Sequence, residues 1–168
     1  MTEVAEYDPH FAGYVSLVPE EDILAAMSSQ AEVSHALLAS FDESRSGYRY
    51  AEGKWSIREV VGHLADAERV FGYRAMCVAR GEQASLPSFN ENEYMRLSDY
   101  DSWPFRDSVE QWALLRRANI LLFRNLGTDA WTRRGTAGGA PISVRALGRI
   151  IVGHERHHMN VLREQYGA

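Results

Sequence analysis

Apolar residues recur along this chain at the three-and-four spacing of amphipathic helices, in four long segments. Pro19-Glu20-Glu21-Asp22 opens the first, since proline tolerates a first helical turn and acids suit its positive end. Ile23, Leu24, Met27, Ala31, Leu38 and Phe41 follow on one side. Ser44 to Lys54 reads as a loop. Ser56-Ile57-Arg58-Glu59 is a capping box and starts the second helix. Val60, His63, Leu64, Ala67, Val70, Phe71, Arg74 and Val78 share its broad inward face, and Gly81 is its stop. The third begins near Pro104, carries Val109, Trp112, Leu115, Ile120, Leu122 and Phe123, and ends at Gly127. Ser143 caps the fourth, which runs nearly to Gly167.

Between these segments, residues 1–18 read as an extended lead-in, and Trp131 to Pro141 as Gly-rich and irregular. No strand pattern emerges beyond short extended pieces in the loops. The expected fold is therefore all-α, a four-helix bundle in one domain over residues 1–168. The first connection is short and makes helices one and two antiparallel neighbours. The second, Glu82 to Trp103, is long enough to travel back along the bundle, with a short helix expected around Glu91–Leu97. That return makes helices two and three parallel, an up-down-down-up order, and a loop of this length is often functional.

Composition narrows the function. A net charge of -5 with no Lys/Arg-rich run argues against nucleic acid. The opening MTEVAEYDPH lacks the basic and apolar regions of a signal peptide, and no apolar run approaches a membrane span. The expectation is a soluble, cytoplasmic protein. Cys77 is the only cysteine, so any metal must be held by His and carboxylates.

The stretch GHERHHMN, residues 153–160, carries the candidate chemistry. His154 and His158 differ by about 40° around the helix and about 6 Å along it. Both fall in the stripe of Leu147, Ile150, Ile151 and Val161 that should face the core. His157 lies on the flank. His63 is on the inward half of helix two, so three imidazoles from two helices can meet. Imidazole suits Zn, Ni, Fe and Cu, and three ligands leave an open position. The competing account is a set of hydrogen-bonded core histidines. An inward i, i+4 pair weighs against it, because burying two unpartnered imidazoles is costly. His10 and His35 have no partner pattern and read as surface or structural.

His154-Glu155-Arg156-His157-His158 also matches H-E-x-x-H, in which the Glu is the base of a metalloprotease. Only Met159 to Ala168 remain to supply a third ligand, and the extended form fails at Val161 and Glu164. A di-iron site is disfavoured too, because Glu59 and His63 are one residue too far apart for a second E-x-x-H.

The stretches KWSIREVVGHLADAERVFGYRA (Lys54–Ala75) and ISVRALGRIIVGHERHHMNVLREQY (Ile142–Tyr166) resemble the two histidine helices of the DinB-like superfamily, which includes the bacillithiol transferases. The likeness runs from about Pro19 to Tyr166. It implies an up-down-down-up bundle, often a homodimer. It also implies a divalent metal, commonly Zn or Ni, on His63, His154 and His158. Relatives include S-transferases that use a low-molecular-weight thiol and an electrophile, and a thiol-dependent maleylpyruvate isomerase. The resemblance thus implies a thiol S-transferase or a related hydrolase. The alternative is a non-catalytic stress-response or ligand-binding module with a structural or vestigial metal.

Other residues carry paired readings. Glu155 is a weak catalytic candidate, against a place on the bundle edge with a salt partner. Glu59 either orients His63 or simply completes its capping box. Arg74 either recognises a substrate carboxylate or snorkels to the bundle end. Tyr94, Trp103 and the piece around Phe89–Leu97 either roof a pocket or cover the core. Cys77, about four turns from His63, is too far to be a ligand and reads as an inert thiol.

Overall fold

The computed structural model describes residues 5–167. Four long helices build the bundle: α2 (Ile23–Ala39), α3 (Ile57–Ala79), α5 (Phe105–Arg124) and α6 (Val144–Tyr166). Short helices α1 (Ala12–Ser16) and α4 (Glu91–Arg96) lie in the connections, with strands β1 (Arg134–Ala137) and β2 (Ala140–Ser143) before α6.

Each long helix begins where a side chain satisfies the free amides of its first turn, except α5, which follows Pro104. The Asp22 carboxylate accepts from the Ala25 amide at 2.9 Å. Pro19 to Glu21 therefore stand outside α2, and Glu20 instead pairs with Arg156 of α6 at 2.7 Å. At α3 the box closes in both directions: Glu59 N–H donates to Ser56 Oγ at 3.2 Å, and Ser56 N–H to the Glu59 carboxylate at 2.7 Å. Ser143 Oγ accepts from the Ala146 amide at 3.0 Å and opens α6.

Packing partners fix the directions. Leu38 and Phe41, at the end of α2, share an apolar cluster with Leu162 and Tyr166, at the end of α6. Ile57 and Val60, at the start of α3, share it with Phe105 and Val109, at the start of α5. A second cluster at the other end joins Met27, Phe71, Ala75, Phe123, Leu147 and Ile150. Helices α2 and α6 thus run one way and α3 and α5 the other, the up-down-down-up order.

Residues 80–104 make the return along the bundle. Gly62 lets this segment lie against α3, because a Cβ there would sit 2.4 Å from the Tyr100 ring. The Tyr100 hydroxyl then donates to Asp66 at 2.8 Å. The short helix α4 falls where the sequence places one.

Two expectations need correction. Residues 131–141 are not wholly irregular: β1 and β2 form an antiparallel hairpin, with Ala137 opposite Ala140. Gly138 and Gly139 make its turn at φ of 59° and 82°, the left-handed pair that a two-residue hairpin needs. The lead-in is also not extended where it is described. Asp8 caps a 3₁₀ turn at Pro9–Phe11, which runs into α1. Residues 1–4 of that expected lead-in lie outside the described residues. Among the described residues, no helix is long and apolar enough to cross a membrane.

Candidate metal centre

The inward faces of α3 and α6 bring His63, His154 and His158 together. One ring nitrogen from each lies within 4.8 Å of the others, and Nε2 of His63 and Nε2 of His154 are 2.9 Å apart. His63 and His154 are buried, and His158 is half-buried. Burial lowers all three pKa values, His63 to about 4, with neighbouring imidazoles adding to the effect. The rings are therefore neutral at physiological pH, with lone pairs available to a cation. Zinc–nitrogen bonds of about 2.0–2.1 Å at tetrahedral angles require nitrogens roughly 3.4 Å apart. Shifts of about an ångström would bring the three rings to that spacing.

The site opens into a cavity of about 320 Å³. Aromatic rings surround the histidines. Trp55 lies 4.9 Å from His63 between ring centres, and Phe89 stacks on His63 at 6.3 Å. Phe71 is 5.7 Å and Tyr14 5.2 Å from His154. The walls come from the connections as much as from the bundle. Phe11 and Tyr14 belong to the lead-in, Ser88, Phe89 and Glu91 to the crossover, and Ala137, Gly138 and Ala140 to the hairpin.

Gly153 allows α1 to approach. A Cβ at that position would lie 2.0 Å from the Tyr14 carbonyl oxygen. The glycine beginning GHERHHMN is thus what seats Tyr14 over His154 and His157.

Glu155 is neither on the bundle edge nor among the residues lining this cavity. It is buried to 1% exposure and forms an ion pair with Arg116 of α5, which also pairs with Glu68 of α3. Asn119 completes the layer, donating to the Glu68 carboxylate at 2.6 Å. Burial opposes the Arg116 charge, but the two carboxylates outweigh it and raise its pKa. Burial raises the Glu155 pKa, and Arg116 opposes that shift. A carboxylate engaged in this way, outside the lining of the histidine cavity, is poorly placed as the base of a protease.

The remaining candidates divide. Arg74 does not snorkel; it is 6% exposed and lines the cavity. Glu59 is held by its cap and by Arg49. Phe89 and Glu91 wall the cavity, whereas Tyr94 packs on Phe89 at 4.9 Å while 53% exposed. Trp103 packs on Tyr100 instead. His157 and His35 are exposed, and His10 is an exposed residue of the cavity rim. Cys77 is partly buried against the core.

Comparison with known proteins places this arrangement. A family model described as the DinB superfamily matches residues 23–162. A protein of Halalkalibacterium halodurans carrying the name "Putative metal-dependent hydrolase" is 27% identical over 127 residues, which is 74% of this chain and 73% of that protein. YfiT from Bacillus subtilis, whose structure is described as a probable metal-dependent hydrolase with an unusual four-helix bundle topology, superposes with a TM-score of 0.65 at 20% identity, covering 98% of this chain and 95% of that one. The mycothiol-dependent maleylpyruvate isomerase superposes with a TM-score of 0.68 at 16% identity, over 86% of this chain and 61% of that one.

Proposed function

The chain belongs to the DinB superfamily, and from that premise we propose that it is a metal-dependent enzyme, a small-thiol S-transferase or a related hydrolase. The observation that carries this reading is the convergence of His63, His154 and His158 at one end of a cavity of about 320 Å³. These three residues would hold the metal, a divalent ion of the kind imidazole suits, Zn or Ni by the resemblance to the superfamily. A bound divalent ion supplies Lewis acidity that lowers the pKa of a thiol or water at its free position.

The chain's own residues supply the rest. Trp55, Phe71 and Phe89 exclude water from the reacting end and strengthen electrostatic interactions there. Tyr14 packs edge-on to His154 and restrains that ring's orientation. The non-catalytic alternative calls for a fourth protein ligand or a filled pocket. Among the described residues the cluster has three members and faces open space, which favours the enzyme. The names of the curated relatives support the hydrolase branch, and the mycothiol-dependent neighbour supports the thiol branch.

Metal analysis of the gently purified protein and of His63→Ala tests the ligand set. About one Zn or Ni per chain, lost in the variant, is expected. Metal retained without His63 would overturn the assignment. Turnover of a thiol with an electrophile, set against hydrolysis of an ester panel, then separates the two branches.

A further inference from the structure

Arg74 pairs with no carboxylate among the described residues. It is 6% exposed, and its one protein acceptor is the Pro87 carbonyl, which takes an N–H from Nη2 at 2.7 Å. A guanidinium has five such donors. No ion pair engages it among the described residues, and burial pulls its pKa down. A desolvated cation without a partner is costly, and a cation–π contact with Phe71 at 5.8 Å offsets only part of that. Arg74 is also the only Arg or Lys among the residues lining the histidine cavity.

Helix geometry aims it at the metal centre. His63 and Arg74 are three turns apart on α3, about 16 Å along the axis. Side chains on a helix lean toward its N-terminus, so Arg74 leans back toward His63. Its position over Phe71, one turn earlier, shows that lean. The Phe71 ring is in turn 5.7 Å from the His154 ring, so two steps of 5.8 and 5.7 Å hold the guanidinium within about 11.5 Å of that histidine. One small molecule can span both ends. Asp8 and Glu91 share the cavity, but among the described residues neither forms an ion pair with Arg74, and the Asp8 carboxylate accepts from the His10 amide at 2.8 Å.

We propose that Arg74 is the anion-binding residue of this cavity, and that the substrate or cosubstrate carries a carboxylate that docks there while its reacting group meets the three histidines. The inference rests on the cavity's being the substrate site. It adds a chemical class: a small molecule whose carboxylate lies within about 11.5 Å of the end that meets the histidines, the bound set by the two steps through Phe71.

The test uses hexanoate and hexan-1-ol, which share length and differ in charge, titrated calorimetrically at fixed ionic strength. Wild-type protein is measured as purified and after chelation, beside Arg74→Gln and Arg74→Lys. We expect hexanoate to bind roughly tenfold or more tightly than the alcohol, the scale of a charge-assisted hydrogen bond. That preference should survive chelation, vanish in Arg74→Gln and persist in part in Arg74→Lys. Should Arg74→Gln lose its helical circular dichroism, Arg74→Lys carries the test through its partial loss. Equal or undetectable binding of both probes to wild type overturns the proposal. So does a preference that Arg74→Gln leaves intact or that chelation abolishes. Metal content is read in the same samples. A chain that takes up no metal but keeps the preference refutes the metal centre alone, and a metal-loaded chain without the preference refutes Arg74 alone.

Discussion

Gly153→Ala should loosen the roof of the cavity while leaving the histidines in place. The new Cβ would lie 2.0 Å from the Tyr14 carbonyl oxygen, 2.6 Å from its carbon and 3.1 Å from its Cα. All three are backbone atoms, so no rotamer change relieves the clash. Contacts under 3.0 Å are essentially never seen, so α1 must retreat by at least about an ångström. Two effects oppose each other. Alanine in a helix interior gains about 1 kcal/mol over glycine. Overpacking costs about 1–3 kcal/mol. Gly148→Ala in the same helix separates them, because its Cβ would meet only side chains, the nearest being the Ile23 methyl at 3.0 Å. Urea titration should find Gly153→Ala less stable than Gly148→Ala by about 1–3 kcal/mol. Hydrogen exchange should locate the loss in residues 9–17, with the middle of α6 still protected. Equal stability of the two variants, with unchanged protection over 9–17, would refute the seating of α1 on Gly153.

Three further outcomes follow from the same geometry. His154→Ala should lose bound metal as His63→Ala does, whereas His157→Ala should keep it, as elemental analysis of each variant will show. Arg116→Met should cost about 3–5 kcal/mol in chemical denaturation, since it leaves the Glu68 and Glu155 carboxylates buried without their cation. The hydrogen bond from Arg145 is the main cause of the lowered Glu6 pKa. A depressed carboxylate contributes stability above its unfolded value, near 4.5, and loses it as pH falls through the folded value. Glu6→Gln should therefore be less stable at pH 7, by under about 1 kcal/mol for a partly exposed pair, and should converge with wild type at lower pH.

The parts of this molecule that were legible in its sequence are those set by local rules. Ser56 and Glu59 announce α3 because a capping box needs only residues three apart. His154 and His158 announce a shared face because helical geometry alone puts them there. Arg116 carries no local signal, since an Arg-Arg pair in an amphipathic helix ordinarily faces water. Yet Trp112, Arg116, Asn119 and Phe123 follow one i, i+4, i+7, i+11 stripe, and all are buried. Read as a stripe, that run asks for a buried acid, but Glu68 is 48 positions away and no local rule supplies it. The α1 helix escaped for a related reason. Five residues show no period, and its place depends on an absent side chain at Gly153. The hairpin strands are four residues each, and Pro141 obscures the second.

The division of labour around the cavity bears on how this architecture can diversify. Its histidines stand on two long helices, where any shift disturbs a packed core. Much of the surrounding wall belongs to three segments outside the long helices: the lead-in, the crossover and the hairpin. Such segments accept substitutions and length changes far more readily than the scaffold that carries them. Selection, or a protein engineer, can therefore rewrite what the pocket admits by exchanging Phe11, Phe89 or Gly138 and their neighbours, while the helices that carry the three histidines are inherited unaltered.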